Sequence, residues 1–295
     1  MFMDNLCDMP DELDSPDEKF AFGWNWSSFL STLNDERIEA AQESMQSLLG
    51  MSDLQNRRFL DAGSGSGLFS LSAYRLGANV TSFDVDHDSV GCTQELRKRF
   101  CADISKWVVL HGSLTDTEFL KNLGEFDIIY CWGVAHHTGH MWVSIDNLTA
   151  RIGPGGWLVL AIYNDQLYIS RAWSGVKQIY QRLPGWLRPV FVAAIGSFTF
   201  LKRLTITLLA GLLRLVTLRN PLVPVTNWIR ETQARGMHGW YDLVDWVGGW
   251  PFEVARPEEI FRFMRDRGFT LQEMTTSTGH GCNEFVFMRA DDVIR

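Results

Sequence analysis

The feature that most constrains the fold is one stretch of 28 residues, FLDAGSGSGLFSLSAYRLGANVTSFDVD, from Phe59 to Asp86. It places Gly63, Gly65 and Gly67 between a short apolar run and a helical-looking segment, and it closes with a second apolar run that ends in acids. Glycine adopts left-handed backbone conformations and lets the main chain approach a ligand closely. The stretch therefore predicts a strand, a binding turn, a helix and a second strand.

Similar apolar runs recur along the chain and predict the strands of one sheet. Each is four to seven residues long and unbroken by alternating polar residues, which is typical of strands buried on both faces. The segments between them are long enough for crossover helices. The fold class predicted is therefore α/β, a doubly wound Rossmann-like sheet that is mostly parallel. The runs are Arg58–Ala62, Val80–Val85, Trp107–Leu110, Phe126–Cys131 and Trp157–Tyr163.

The alternation of strands and helices stops after Tyr163 and resumes near Pro257, which predicts an inserted segment. The chain then divides into five parts, and the insertion is expected to form a helical cap before the last helix and two closing strands. The parts are an acidic disordered tail (1–19), an N-terminal helical segment (20–50), the cofactor-binding core (51–164), a helical, basic and apolar insertion (165–255) and the C-terminal helix and strands (256–295).

Charge and cysteine content exclude several classes of protein. The net charge is −8, which disfavours a nucleic-acid partner. The segment from Gln166 to Arg235 nevertheless contains ten Lys or Arg and one acid, Glu231. Its net charge is therefore +9, and the net charge of the remainder is −17. Five cysteines without a C-x-x-C pair indicate neither disulfides nor a zinc knuckle. The N-terminus shows no export signal, so we expect a cytoplasmic protein, with peripheral membrane association as an open alternative.

The glycine turn does not match two common nucleotide-binding fingerprints. A dinucleotide turn, G-x-G-x-x-G, requires glycine at the position that Leu68 occupies here. A P-loop requires Lys followed by Ser or Thr, and this turn has neither. The spacing D-x-G-x-G-x-G, from Asp61 to Gly67, is a different motif, and a nicotinamide dehydrogenase is correspondingly disfavoured.

Between Leu48 and Tyr163, and again from Pro257 to Arg289, the chain resembles the class I S-adenosylmethionine-dependent methyltransferases, most closely the ubiquinone-precursor O-methyltransferase group. The resemblance rests on the Asp61–Gly67 turn, on FDIIYCWG at Phe126–Gly133, which is similar to the family's fourth motif, and on the G-P-G-G turn before strand five. It implies S-adenosyl-L-methionine as cofactor. The residues it assigns to the cofactor are Asp61, Gly63, Ser64, Gly65, Gly67, Asp84, Val85, Ser113, Leu114, Cys131 and Trp132.

Two of the assigned residues, Asp84 and Ser113, differ in how well their side chains suit the role that the resemblance implies. Asp84 ends the second strand, and an acceptor-only carboxylate is suited to take both donors of a ribose diol. Ser113 lies in the loop that the resemblance gives to the adenine, where many members of the family have an acid. The sequence departs from the family at that position.

The candidate base lies after the fourth strand, where the sequence reads CWGVAHHTGH. Methyl transfer to oxygen needs positioning and removal of a proton, and imidazole titrates near neutral pH. His136 and His137 are therefore the catalytic candidates, and His137 fits the family spacing better. The alternative is that they only close the loop through hydrogen bonds. With His140 they resemble a metal-binding pattern, but no acid completes it, and we predict no metal.

The insertion supplies the candidates for acceptor binding. Three tryptophans, a tyrosine, a histidine and two acids fall between Met237 and Trp250, as aromatic walls with a few polar groups do in small-molecule pockets. The alternative is an aromatic helix packed on the rim of the sheet. A further cluster, Gly279–Glu284, is either a plain turn or a pocket wall. The predicted acceptor-binding residues are His238, Trp240, Tyr241, Asp242 and Asp245.

Residues 189–218 are mostly apolar yet contain Lys202, Arg203 and Arg214. The longest uncharged piece has 13 residues, fewer than the roughly 20 of a membrane-spanning helix, so a span is not expected. Three roles remain open for this segment, namely a lid, a homodimer interface and helices lying on a membrane surface.

Together these features predict an S-adenosylmethionine-dependent methyltransferase that acts on a small, hydrophobic acceptor, with O-methylation favoured. N- or C-methylation of a similar acceptor is the alternative within the family. A scaffold that binds the cofactor without turnover is the alternative from another class. The retained glycines and Asp84 argue against that scaffold.

Overall fold

The computed structural model describes residues 33–234, 239–277, 279 and 281–290. Its centre is a seven-stranded sheet with the order β3-β2-β1-β4-β5-β7-β6. The first five strands are parallel, and β7 runs antiparallel between β5 and β6. The strands are β1 (Arg58–Ala62), β2 (Asn79–Asp84), β3 (Trp107–His111), β4 (Phe126–Trp132), β5 (Ile152–Tyr163), β6 (Phe269–Thr275) and β7 (Cys282–Arg289).

Helices connect the strands and continue through the insertion. Three short 3₁₀ turns, Ile104–Lys106, Ala135–His137 and Gly185–Leu187, lie among them. The α-helices are α1 (Asp35–Leu49), α2 (Leu68–Arg75), α3 (His87–Phe100), α4 (Thr117–Leu123), α5 (Met141–Thr149), α6 (Tyr168–Arg182), α7 (Arg188–Val216), α8 (Val223–Ala234), α9 (Gly239–Gly248) and α10 (Pro257–Arg265).

Local signals in the sequence fix the ends of α1. The Asn34 side chain accepts from the Arg37 N–H at 3.0 Å, and Gly50 follows the helix in a left-handed conformation with φ of 64°. Such an N-cap stabilises a helix by about 1 kcal/mol. Glycine after the helix adopts the left-handed conformation without the steric clash that a side chain would cause there. The helix lies inside the predicted segment 20–50, of which residues 20–32 fall outside the described part of the chain.

The sheet is buried on both faces, as the continuous apolar runs predicted. Phe59 and Leu60 are neighbours in β1, and both side chains are fully buried, each in a different core cluster. Two apolar layers therefore pack against the sheet, as in a doubly wound fold. The predicted fold class is confirmed. Strand β5 begins five residues earlier than predicted, at Ile152, because the G-P-G-G turn is itself part of the strand.

The chain divides into two compact units. The sheet unit contains the described residues up to Ser174 and those from Trp250 onwards, and the helical unit contains residues 175–249. The helical unit is shorter at both ends than the predicted insertion, 165–255.

Within the helical unit, the antiparallel helices α7 and α8 form a hairpin. The rings of Phe200 and Trp228 lie 5.5 Å apart, and the Arg214 Nε donates to the Asn220 carbonyl at 2.8 Å near the turn. The chain between Gly185 and Val216 is helical throughout, with a mean hydropathy of 1.4 over its most apolar 18 residues, of which 11% are buried. By length and composition this segment is long and apolar enough to cross a membrane. The helix continues through Lys202 and Arg203, so the 13-residue uncharged piece does not set its length, and the expectation that it does not span a membrane stays a prediction.

Candidate functional site

The glycine turn lies where the strand order reverses. Strands β2 and β3 extend from one side of β1, and β4 pairs with its other side, so the carboxyl ends of β1 and β4 border a crevice. Ligands of open α/β sheets bind at this point. The N–H groups of Gly63 and Ser64 both donate to the Phe83 carbonyl, at 2.9 and 3.0 Å, which holds the turn against the end of β2.

Each glycine of the turn has a conformational or packing reason to be glycine. Gly63, Gly65 and Gly67 have φ of 86°, 52° and 81°, where side chains are disfavoured. A Cβ added at Gly63 would lie 2.4 Å from the Val134 side chain, and one at Gly67 would lie 2.9 Å from Thr93. The turn is therefore held between α3 and the loop after β4. Neither Gly63 nor Gly67 has room for a side chain.

Asp84 is oriented by two main-chain donors. One carboxylate oxygen accepts from the Gly65 N–H at 2.9 Å and the other from the Asp86 N–H at 3.0 Å. A carboxylate offers about four acceptor positions, so two positions are still available for a diol. Burial raises the pKa of Asp84 above its ordinary value. The geometry fits the ribose-binding role predicted for this residue.

Asp61 is buried beneath the turn. Its side chain accepts from the Ser70 hydroxyl at 2.5 Å, and Ser70 in turn lies 2.7 Å from Ser82, which accepts from the Trp107 indole. Burial is the main cause that raises the pKa of Asp61 to about 7; the Ser70 hydrogen bond opposes this rise, and the nearby Asp84 charge adds to it. The structure places Asp61 in a network that ties α2 to the sheet. A cation bound above the turn would favour its ionised form.

The ends of β2 and β3 form the neighbouring part of the crevice. Asp84 and His111 are in register, and the His111 Nε2 lies 3.0 Å from the carbonyl of Val85, whose side chain is exposed. The rings of His87 and His111 stack at 4.0 Å with an interplanar angle of 4°. We did not predict His87 as a site residue, because its partner is 24 positions away and no local pattern signals the stack.

The predicted adenine-binding pair, Ser113 and Leu114, follows this edge. The Ser113 hydroxyl lies 2.9 Å from the Thr115 hydroxyl, and the Asn147 amide donates to the carbonyl of the buried Leu114 at 2.9 Å. Both residues therefore belong to a loop that is held in place by the end of α5.

At the end of β4, Cys131 and Trp132 differ in what they offer a ligand. The Cys131 side chain is fully buried, and burial raises the pKa of its thiol to about 12, so only its main chain is available at the sheet edge. Trp132 is 42% exposed, and its indole donates to Glu284 at 3.2 Å. At Gly133 an added Cβ would meet no heavy atom within 4 Å, so the crevice has open space beside this strand end.

The two candidate bases occupy different environments. His136 is fully buried, with its ring centroid 3.9 Å from that of Tyr163. His137 is half-buried, and its Nδ1 lies 2.7 Å from the Pro251 carbonyl. A carbonyl only accepts, so Nδ1 must carry a proton, and in the neutral ring Nε2 then holds the lone pair. His137 therefore has the tautomer of a proton acceptor at Nε2.

Several residues around these histidines were missed by sequence reasoning. Tyr163 and Phe252 have ring centroids 5.4 Å apart, and Tyr163 also meets His137 edge-on at 5.4 Å. Glu253 donates its N–H to the His136 carbonyl, and its carboxylate accepts from the Met141 N–H at 2.9 Å, at the start of α5. Phe252 and Glu253 lie more than 80 positions from the residues that they contact here, and no periodicity in the sequence signals these contacts.

The Gly279–Glu284 cluster borders the same end of β5. Asn283 is buried and donates to the Asn164 side chain at 3.1 Å, while the Gly281 carbonyl accepts from the Asn164 N–H. Gly281 and Asn283 are thereby held near Tyr163, with which Cys282 is in register, while His280 of this cluster lies outside the described residues.

The predicted acceptor-binding residues all belong to or adjoin α9, in the helical unit. His238 lies outside the described residues. Trp240, Tyr241 and Asp242 fall within α9, but their side chains are not among those described. Asp245 interacts electrostatically with Lys177, which is fully buried and donates to the Trp246 carbonyl. Burial lowers the pKa of Lys177 to about 7, and Asp245 opposes that shift.

No group of three or more His, Cys, Asp or Glu side chains in the described ranges is arranged to hold a metal ion.

A family model of the methyltransferase domain matches residues 33–205, more than half of the 295-residue chain. The mitochondrial ubiquinone biosynthesis O-methyltransferase of Schizosaccharomyces pombe is 25% identical over 153 residues, which cover 51% of this chain and 54% of that protein. The ribosomal protein L11 methyltransferase of Citrifermentans bemidjiense is 37% identical over 125 residues, which cover 41% of this chain and 37% of that protein. The chain thus spans about half or less of the length of these relatives.

Solved structures show a likeness in fold. An O-methyltransferase family protein from Burkholderia thailandensis aligns with a TM-score of 0.53 at 10% identity, over 95% of this chain and 66% of that one. At this level of identity the likeness concerns the fold alone.

Proposed function

The chain belongs to this family of methyltransferase domains, and on that premise we propose that the protein transfers a methyl group from S-adenosyl-L-methionine to a small-molecule acceptor. The family match confirms the class I methyltransferase and the cofactor predicted from the sequence. The acceptor and the atom that is methylated are proposals of our own, because the matching relatives named above act on different kinds of acceptor.

The observation that carries the proposal is the pairing of the glycine turn with Asp84. Gly65 donates to the Asp84 carboxylate, so the turn and the diol acceptor are held as one piece at the switch point of the sheet. When bound, S-adenosylmethionine supplies a methyl group made electrophilic by its sulfonium. Asp84 would hold its ribose, the glycine turn would receive its amino-acid moiety, and the loop at Ser113 and Leu114 would contact its adenine.

For the acceptor atom we favour oxygen, with His137 as the base. A phenol or enol must lose its proton as the methyl is transferred, and His137 has its lone pair on Nε2 because Nδ1 faces the Pro251 carbonyl. His136, fully buried, acts as a positioning residue that packs against both His137 and Tyr163. As the oxygen gained the methyl group, the bond between that methyl group and the sulfonium sulfur would break, S-adenosylhomocysteine would leave, and the proton of the oxygen would pass to Nε2.

A hydrophobic acceptor agrees with the side chains near this base. Tyr163 and Phe252 pack beside the two histidines, and aromatic walls with a few placed polar groups are typical of small-molecule sites. An amine acceptor remains the alternative, since a neutral amine attacks without a base. The similarity to a ubiquinone biosynthesis O-methyltransferase supports oxygen as the first choice.

The test is release of S-adenosylhomocysteine by the purified protein with a panel of phenols, isoprenoid phenols and matched amines. We expect turnover with an apolar phenol and none with the corresponding methyl ether. Turnover with amines alone would contradict O-methylation. Binding of S-adenosylmethionine without release of S-adenosylhomocysteine across the whole panel would contradict the enzymatic proposal and favour a scaffold.

A further inference from the structure

The distal part of α7 exposes an unusual amount of apolar surface. Soluble monomers rarely carry apolar patches larger than about 300–600 Å², and such patches often mark interaction sites. Eleven large apolar residues within 21 positions are each more than half exposed here. They are Phe198, Phe200, Leu201, Ile206, Leu208, Leu209, Leu212, Leu213, Leu215, Val216 and Leu218.

The helical period separates this surface from the face that packs against α8. At 3.6 residues per turn, Leu201, Leu208, Leu212 and Leu215 lie on one face. Arg203 lies elsewhere, over the Trp228 ring of α8 at 5.4 Å. The apolar face, defined by these four leucines, is thus the side of α7 that α8 leaves exposed.

Charge around this face has a single sign. Residues 166–230 contain nine Lys or Arg and no acid. Lys202 and Arg219 are exposed at the two ends of the apolar face. Two copies of the chain that met through this face would bring positive charges together without acids to compensate. An anionic surface complements it instead.

The turn between α7 and α8 also carries basic groups. It forms a cavity of 450 Å³ that contains two guanidinium groups, a hydroxyl and an amide beside apolar side chains, and its lining includes no acid. Such groups suit the phosphate of a lipid head group. The lining residues are Ala210, Leu213, Arg214, Thr217, Arg219, Val223, Pro224 and Asn227.

We propose that the α7–α8 hairpin docks on an anionic phospholipid bilayer, with the apolar face in the acyl region and Lys202 and Arg219 at the phosphates. The hairpin geometry favours insertion into one leaflet. Helix α8 has 12 residues, about 18 Å, and runs back along α7, which is too short to return across a bilayer core of about 30 Å. Both ends of the hairpin therefore lie on the same side of the membrane.

The experiment is flotation of the full-length protein with vesicles of phosphatidylcholine alone and with added phosphatidylglycerol, at low and high salt. We expect binding to the anionic vesicles, weakened by salt. The substitutions K202Q and R219Q together should lower the partition constant roughly 30-fold, because each basic residue near the surface contributes about 5-fold. The matched control, K98Q with K106Q, removes two exposed lysines of the sheet unit and should leave binding unchanged.

A second variant tests the apolar face. Leu208, Leu212 and Leu215 changed together to Ser should lower partition more than about 1,000-fold, since each loses the burial of a leucine side chain. S-adenosylmethionine affinity, measured by calorimetry, should remain that of the wild type in every variant, which shows that the sheet unit is folded. The docking proposal is thereby tested independently of methyl transfer.

Two results would overturn the proposal. One is wild-type protein that does not float with anionic vesicles at low salt. The other is a stable dimer in light scattering that the serine variant converts to monomer, because a second copy would then cover the apolar face.

Discussion

The sheet unit buries its polar side chains in partnered networks, whereas the helical unit leaves large apolar side chains in solvent. Below the glycine turn, Asp61, Ser70 and Ser82 are almost fully enclosed and joined by hydrogen bonds. On α7, side chains such as Leu212 and Val216 are more than half exposed. The difference teaches that the sheet unit satisfies its polar groups internally around the cofactor crevice, whereas the helical unit leaves an apolar face uncovered by its own helices.

Each unit also contains one deeply buried ionisable group with a pKa near neutrality. The pKa of Asp61 in the sheet unit is raised from 3.8 to about 7, and the pKa of Lys177 in the helical unit is lowered from 10.5 to about 7. Burial is the main cause in both. Because an acid and a base respond oppositely to pH, the two units should lose stability at opposite ends of the pH range.

The largest expected effect belongs to catalysis in the sheet unit. His137→Ala should lower kcat 100- to 10,000-fold, because general-base assistance contributes in that range, while S-adenosylmethionine affinity changes little. The measurement is S-adenosylhomocysteine release as a function of pH with an accepted phenol. His140→Ala is the matched control, since His140 is exposed in the same loop. Equal rates for both variants would remove His137 from the chemistry.

Lys177→Met tests the helical unit. The lysine is fully buried and its folded pKa is depressed, so its contribution to the free energy of unfolding is present above pH 10.5 and is lost as pH falls to about 7. Below pH 7 the variant should be more stable than wild type by on the order of 4 kcal/mol. Urea denaturation at pH 6 and pH 10 measures this, with the exposed Lys202→Met as control. A variant equally destabilised at both pH values would show that the amine acts only through its hydrogen bond to Trp246.

Asp61→Asn tests the sheet unit in the opposite direction. A raised folded pKa in an acid gives stability that is complete below pH 3.8 and is lost as pH rises through about 7. The variant should therefore gain stability over wild type as pH rises from 4 to 8, by on the order of 3 kcal/mol, reduced by the bond lost from Ser70. Urea denaturation across that pH range measures how the difference in free energy of unfolding between variant and wild type changes with pH. The exposed Asp53→Asn is the control. A flat difference would mean that Asp61 stays ionised in the fold.

The smallest expected effect is on cofactor binding. Asp84→Ala should weaken the binding of S-adenosylmethionine about 10- to 100-fold, because hydrogen bonds to a charged acceptor contribute roughly 1.5–3 kcal/mol. The Gly65 N–H also loses its partner in this variant. Calorimetric titration measures it. The exposed Asp88→Ala, four residues further on, should bind like wild type. If Asp84→Ala did the same, the ribose site would lie elsewhere.

The sequence predicted what local spacing determines and missed what distant contacts determine. The glycine turn, Asp84 at the end of β2 and the succession of strands and helices along the chain follow from neighbouring residues, and the structure has them where expected. The Pro251 carbonyl beside His137 joins positions 114 apart, and no pattern in either segment indicates it.

The helical unit shows why the length of an uncharged run does not give the length of a helix. The uncharged piece before Lys202 has 13 residues, yet α7 runs through Lys202 and Arg203 to Val216. A charged side chain on an exposed helix is solvated without disturbing the backbone hydrogen bonds, so charge is a poor signal of where a helix ends. The exposure of the apolar face could not be predicted either, because it depends on which side of α7 the short helix α8 covers.

The hydrogen bond between His137 and the Pro251 carbonyl sets a practical rule for exchanging parts between related enzymes. Pro251 lies only two positions after Gly249, the last residue of the helical unit. If the helical unit were exchanged with a junction a few residues after Gly249, Pro251 and its carbonyl would be replaced together with the helices. The recipient's imidazole would then lose the partner that fixes its proton on Nδ1. A chimera joined at Gly249 keeps the native carbonyl, so the helices are replaced without removing the partner of the His137 Nδ1.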